Sequence, residues 1–134
     1  QQIEERTWAR NGQARVHAIG PVYGQEKHNL IGACDGYISL SHKENFNYTA
    51  AEAMASGLPV ILSPGNDLQG EVAKRNVGWM LRSLENEEVE RAIHEFCAMP
   101  QDKLAQLGTN GRKWVEENLS FTRFSARLHQ LIER

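Results

Sequence analysis

Glu44-Asn45-Phe46-Asn47-Tyr48-Thr49-Ala50-Ala51-Glu52-Ala53-Met54-Ala55-Ser56-Gly57-Leu58-Pro59-Val60-Ile61 is the segment that decides the fold. It reads as a loop with a carboxylate, a small-residue helix with a second carboxylate, a Gly-Leu-Pro turn, and a buried strand. That order sets two acidic groups and a helix N-terminus around one spot at the edge of a parallel sheet. Such a spot suits a ligand that carries both phosphate and hydroxyl groups.

Working outward, short apolar strands alternate with helices. Residues 16–19 form a strand candidate that ends in Gly20-Pro21, and residues 25–34 a helix with Leu30, Ile31 and Cys34 on one face. Residues 37–40 read as a buried strand, and residues 48–56 as a helix stopped by Gly57 and Pro59. A third strand over 60–62, a short helix over 69–75 and a fourth strand over 79–81 follow. This alternation implies βαβ units, a parallel sheet and right-handed crossovers. The expected class is therefore α/β, a Rossmann-like parallel sheet with flanking helices and a helical C-terminal segment.

Beyond Leu81 the pattern is helical. Val89, Ala92, Ile93, Phe96 and Cys97 keep the spacing of an amphipathic helix, and Leu104, Leu107, Gly108, Gly111, Trp114 and Val115 make a second. Phe121, Phe124, Leu128, Leu131 and Ile132 make a third, with Ser120 as its N-cap. These stripes are read as core or docking surface.

A chain of 134 residues fits one domain, spanning 1–134. Its 40% hydrophobic and 24% charged content is that of a globular protein, and a net charge of −2 with scattered basic residues argues against nucleic acid. No apolar run is long enough to span a bilayer, and nothing resembles a signal peptide. Cys34 and Cys97 have no metal-ligand spacing and read as buried thiols in a reducing cytosol. The start at Gln1 reads as a processed or excised piece, or a gene fragment.

In an open α/β sheet the ligand crevice lies beyond the carboxyl ends of the strands. Residues 41–47 sit just past the strand ending at Leu40, which places Glu44 there. The helix that starts near Tyr48 aims unpaired backbone N–H groups and its positive dipole end into the same crevice. Asn47 either caps this helix or presents its N–H to a phosphate. Glu52 lies about one turn into the helix and shares a face with Tyr48 and Ser56. Its carboxylate can accept two hydrogen bonds, which matches a vicinal diol such as a ribose. His42 reads as a solvated loop residue, and His17, His28, His94 and His129 are too dispersed for a metal site. The glycines at 65 and 70 fit neither a dinucleotide-binding fingerprint nor a P-loop.

Ser41-x-x-Glu44-x-Phe46 followed by Glu52-Ala53-Met54-Ala55-x-Gly57-x-Pro59-Val60-Ile61 resembles the donor-binding half of GT-B glycosyltransferases. It is most like the retaining family, group 1 and family 4-like, that carries two glutamates separated by seven residues. Ile19-Gly20, Ala33-Cys34-Asp35, Glu71-Val72, Gly78 and the segments 107–108, 114–116 and 119–121 resemble further landmarks. The resemblance therefore runs from about Val16 to Ile132. It implies that Glu44 contacts the transferred sugar near the reacting centre and is the catalytic residue of the set. Backbone N–H groups of Phe46, Asn47 and Tyr48 would hold the sugar or diphosphate, and Glu52 the ribose. Ser41 and the 63–67 loop would line the same cleft. A glycine is usual where Asn47 stands, and a proline is common where Leu40 stands.

The resemblance also implies a nucleotide-diphosphate sugar as substrate, with no metal or other cofactor. A saccharide or lipid-linked acceptor would bind through an N-terminal domain not in this chain. Residues 1–11 resemble the helix before the family's third strand, which would leave its first two strands absent. The strand at Val16 would then border a gap or pair with the strand at Tyr37, and exposed edges of that kind invite self-association. A cytoplasmic setting follows, at the inner face of a membrane, with a role in polysaccharide biosynthesis. The fragment alone would be inactive. Two alternatives stay open: another GT-B enzyme (an epimerase or a phosphorylase), and a non-catalytic α/β interaction module.

Overall fold

The computed structural model describes residues 6–10, 14–42, 48–65 and 68–119. They fall into two compact units, 1–33 and 34–134.

In the first unit β1 (Arg6–Arg10) pairs antiparallel with β2 (Ala14–Ala18), Arg6 opposite Ala18 and Arg10 opposite Ala14. This corrects the helix expected over 1–11. Thr7 and Trp8 favour a pleated strand, and Asn11-Gly12 between the two strands is a strong hairpin signal. The strand expected at Val16 thus finds its partner in β1. Helix α1 (Gly24–Gly32) follows, with Ile31 buried and Leu30 exposed.

The second unit is the α/β body. Strands β3 (Tyr37–Ser39), β4 (Val60–Leu62) and β5 (Gly78–Met80) form a parallel sheet in that order, with Ile38, Ile61 and Trp79 in register. Helix α2 (Tyr48–Ala55) connects β3 to β4, and α3 (Gln69–Arg75) connects β4 to β5. Right-handed crossovers put both helices on one face of the sheet. Helices α4 (Asn86–Ala98) and α5 (Gln101–Asn118) complete the described chain. The helix expected beyond Ser120 lies outside the described residues.

The central strand β4 is buried along its whole length, so both sheet faces are covered. Ile61 and Trp79 share a face and pack with Leu81, Ala92 of α4, and Leu104 and Leu107 of α5. Phe96 meets the Trp79 ring edge-on, centroids 5.9 Å apart. Val60 and Leu62 point to the other face, where α2 supplies fully buried Ala50, Ala53 and Met54. Replacing Met54 with alanine would leave a cavity there. The expected loss is about 2–5 kcal/mol, read as a lowered urea midpoint with an unchanged m-value.

Helix α2 ends as its sequence predicts. Gly57 takes a φ of +80°, its N–H donates to the Met54 carbonyl at 3.0 Å, and the Leu58 N–H donates to the Ala53 carbonyl at 3.0 Å. This is a Schellman closure, which needs the left-handed residue that glycine supplies. Asn76 plays that part for α3, with φ 53° and Val77 N–H reaching back to Val72 at 3.4 Å.

Two glycines of α5 set its approach. A Cβ on Gly108 would land on the Gly57 carbonyl oxygen, and one on Gly111 would sit 2.8 Å from Val77 Cγ1 and 3.4 Å from Met54 Cβ. Both stand in the apolar stripe of the sequence, where each costs a helix about 1 kcal/mol relative to alanine. Close packing on α2 is what that cost secures.

Three expectations of burial are corrected. Ile38 and Leu40 are 43% and 49% exposed, because β3 is an edge of its sheet among the described residues. Cys34 is exposed because α1 stops at Gly32, short of the expected apolar face. Cys97 is also exposed, and of the α4 stripe only Ala92 is buried. Ile93 and Cys97 instead rim an apolar recess beside Phe96 and β3.

Charge holds α4 in place. Arg91 donates to Glu88 through Nε at 2.9 Å and Nη2 at 2.8 Å, and to Glu95 through Nη1 at 2.8 Å. Glu88 also accepts the Arg82 N–H at 3.0 Å, and Glu95 accepts Trp79 Nε1–H at 2.8 Å. The Arg91 hydrogen bonds, then the Arg82 N–H, hold the Glu88 carboxyl at about 2, below its ordinary 4.5. Arg91 first and Trp79 second lower Glu95. Groups depressed on folding stabilise above their unfolded pKa and lose that contribution as pH falls through the folded value. The Glu88 contribution is therefore whole above about pH 4.5 and gone near pH 2. Glu88→Gln should lower the urea midpoint at pH 7 and flatten its decline from pH 4.5 to pH 2. An unchanged acid profile in that variant would refute the link.

Candidate functional site

The site is built where β3 and β4 end. The Ser63 N–H donates to the Ser39 carbonyl at 3.0 Å, carrying the ladder one residue beyond β4. The Ser63 side chain is buried, 1% exposed, and its Oγ accepts the Ser41 N–H at 3.1 Å. One hydroxyl thereby clasps the loop after β3 to the loop after β4. A serine immediately following a wholly apolar strand is the sequence signal for such a clasp, and it had suggested only a cleft-lining role.

Helix α2 begins at Tyr48, six residues beyond the last described residue of the β3 loop, at the carboxyl edge of the sheet. Tyr48 is 72% exposed, while Ala50, Ala51, Ala53 and Met54 are buried. The helix therefore lies with its apolar side on the sheet. Glu52 is half-buried one turn in, and its Oε2 is an enclosed atom that accepts no hydrogen bond among the described residues.

Of the residues expected to form the site, Ser41, Tyr48 and Glu52 are placed at this sheet edge and its helix. Glu44, Phe46 and Asn47 lie outside the described residues, as do Asn66 and Asp67 of the 63–67 loop. Gly65 is exposed with φ +80°, turning the chain away after Ser63.

Landmarks outside the loop are structural. Glu71 accepts Trp114 Nε1–H at 3.0 Å and lies 3.5 Å from Arg75 Nε, tying α3 to α5, and Val72 is fully buried. A Cβ on Gly78 would strike the Val60 backbone, 2.8 Å from its nitrogen, so this glycine lets β5 lie against β4. His17, His28, His42 and His94 are exposed, and among the described residues no three of His, Cys, Asp and Glu gather as a metal site would. No described helix is long and apolar enough to cross a membrane.

The arrangement sets the start of α2, and the Glu52 carboxylate one turn in, at the carboxyl edge of a parallel sheet, where a helix N-terminus suits an anion and a carboxylate suits hydroxyl groups. Known proteins give it a context. A family model described as glycosyl transferases group 1 matches residues 1–114. The chain is also similar to the solved structure of sucrose-phosphate synthase from Thermosynechococcus elongatus, with a TM-score of 0.70 and 29% identity. That match covers 78% of this chain and 26% of the synthase, so the chain spans about a quarter of that protein. No curated protein matches.

Proposed function

The chain belongs to the family of group 1 glycosyl transferases, and from that premise we propose that it is the donor-binding part of a retaining enzyme. The full protein would move a sugar from a nucleotide-diphosphate sugar to a saccharide or lipid-linked acceptor. The observation that carries this reading is the family match, set beside a helix that opens at the carboxyl edge of the parallel sheet. The E-x7-E spacing of Glu44 and Glu52 supports the retaining assignment.

In this proposal Glu52 accepts hydrogen bonds from the two ribose hydroxyls. The backbone N–H groups at Phe46, Asn47 and Tyr48 hold the diphosphate or sugar at the start of α2, and Ser41 lines the same cleft. Glu44 faces the transferred sugar. The bond from the sugar's anomeric carbon to the diphosphate breaks, a bond to the acceptor oxygen forms on the same face, and the acceptor proton passes to the departing phosphate. Stabilising the negative charge on that leaving group is the main electrostatic task, and fixed donors do it without reorganising. No metal is invoked. In this reading no residue of 1–134 is assigned to acceptor binding or to a cationic contact with the diphosphate, and these residues alone are expected to be inactive. Polysaccharide biosynthesis at the inner face of a membrane is the setting this chemistry fits.

Calorimetric titration of the intact protein with UDP, GDP and ADP and their sugar conjugates tests the reading. Binding of one nucleoside diphosphate in the micromolar range is expected, about 8 kcal/mol of affinity. No heat with any of them would leave the non-catalytic module in its place.

A further inference from the structure

Backbone bonds run the length of the β3–β4 pairing. Tyr37 N–H donates to the Pro59 carbonyl at 3.0 Å, and Ser63 N–H to the Ser39 carbonyl at 3.0 Å. Two residues beyond Ser39 the tie between the two segments comes from a side chain, with Ser63 Oγ accepting the Ser41 N–H at 3.1 Å. Ser63 is 1% exposed, and every other described residue in the buried set has an apolar side chain or none. An apolar residue would extend the core at this place, and burying a hydroxyl there is unfavourable until it is hydrogen-bonded. The bond it makes joins no two core elements. It holds the backbone of the loop that leaves β3.

The two ends of that loop are therefore held by different means. At the far end Tyr48 begins α2, whose Ala50, Ala53 and Met54 are fully buried and whose closing turn lies against Gly108. At the near end Ser41 is held to β4 through the Ser63 hydroxyl. Along the chain Glu44 comes three residues after Ser41, Phe46 and Asn47 directly precede the helix, and Glu52 lies within it. Loss of the hydroxyl leaves the Ser41 N–H without that acceptor and frees the near end, while α2 keeps its own supports.

We infer that Ser63 is a positioning residue: through the Ser41 N–H it fixes the loop that carries Glu44, and, being buried, it does so without touching the donor. The inference rests on the donor-binding reading above. It separates two effects. Nucleotide affinity, assigned to Glu52 and the N–H groups at the start of α2, is independent of the clasp. The chemical step depends on it, because a displacement of about 1 Å at a reacting group costs about a hundredfold in rate.

Ser63→Cys keeps the size of the side chain and weakens the acceptor, Ser63→Ala removes it, and Ser63→Thr keeps the hydroxyl. Each intact protein is titrated with UDP, GDP and ADP. Each is also assayed for release of the nucleoside diphosphate from UDP-glucose, GDP-mannose and ADP-glucose with water as acceptor, and for hydrogen exchange at the Ser41 amide. In the cysteine and alanine variants diphosphate affinity should be unchanged, the Ser41 amide should exchange faster, and release should slow by about tenfold to a hundredfold. Ser63→Thr should match the parent in all three; where a lowered urea midpoint shows that its extra methyl does not fit, the cysteine and alanine variants decide. Unchanged exchange at Ser41 in both of those overturns the clasp. Faster exchange with an unchanged release rate makes Ser63 a purely structural residue and overturns the positioning role, as does a loss of diphosphate affinity equal to the loss of rate. All three results leave the proposed function standing. Failure of every nucleotide to bind the parent overturns that function and this inference together.

Discussion

Gly108→Val should prevent the chain from folding. The position looks innocuous by helix propensity, where replacing an exposed helical glycine usually gains stability. Here a Cβ would meet the Gly57 carbonyl oxygen and lie 2.8 Å from the Gly57 carbonyl carbon. Both are backbone atoms of the Schellman turn that ends α2, and neither can swing aside. Relief requires α5 to lift away from α2, exposing Met54 and Trp114, which are 0% and 8% exposed in the native packing. Ordinary overpacking costs about 1–3 kcal/mol, whereas here the close contact and the cavity from the displaced helix add. A loss above about 5 kcal/mol is expected, comparable with the whole stability of a domain. Gly111→Ala is the graded control. Its Cβ meets a movable methyl of Val77 at 2.8 Å, so a folded protein about 1–3 kcal/mol less stable is expected. Equal urea midpoints for Gly108→Val and the parent would remove the basis for the α2–α5 contact described above.

If the proposed ribose role holds, Glu52→Ala should cost the intact protein at least about a hundredfold in nucleoside diphosphate affinity. Each hydrogen bond from a hydroxyl to a carboxylate is worth about 1.5–3 kcal/mol, and the proposed role involves two of them. The paired substitution Glu44→Gln should behave differently. It keeps the shape and leaves diphosphate binding alone, while lowering kcat by about a hundredfold to a thousandfold if charge beside the reacting centre is its contribution. Titration reads the first effect and single-turnover transfer the second. A Glu52→Ala protein that bound the nucleotide as tightly as the parent would remove the ribose role from this carboxylate.

Much of the α/β body could be read from residues that act locally. The 69–75 helix was bounded correctly because Asn76 closes it, and β4 because a Gly-Leu-Pro turn precedes three apolar residues. The exposure of Ile38, Leu40 and Cys97 was not legible, since apolar spacing marks a face and says nothing of which neighbours cover it. The N-terminal hairpin was missed for a different reason. Its local signals, Trp8 and Asn11-Gly12, pointed to strands, and a likeness to a longer fold outweighed them. At the candidate site the sequence marked the helix start and placed Glu52 one turn into it, because spacing along one helix is a local property, whereas Glu44 lies outside the described residues. The Ser63–Ser41 clasp joins residues 22 apart, and only the folded sheet brings them together.

The Gly57 carbonyl against Gly108 has a consequence for ligand affinity. The turn that ends α2 is seated on α5, and the helix beneath it is walled by alanines with almost no rotamers to freeze. Under the proposed donor-binding role, a ligand at the first turn of α2 would meet a platform whose orientation is already fixed from below. The free energy of its contacts would go into retention of the ligand rather than into ordering the protein.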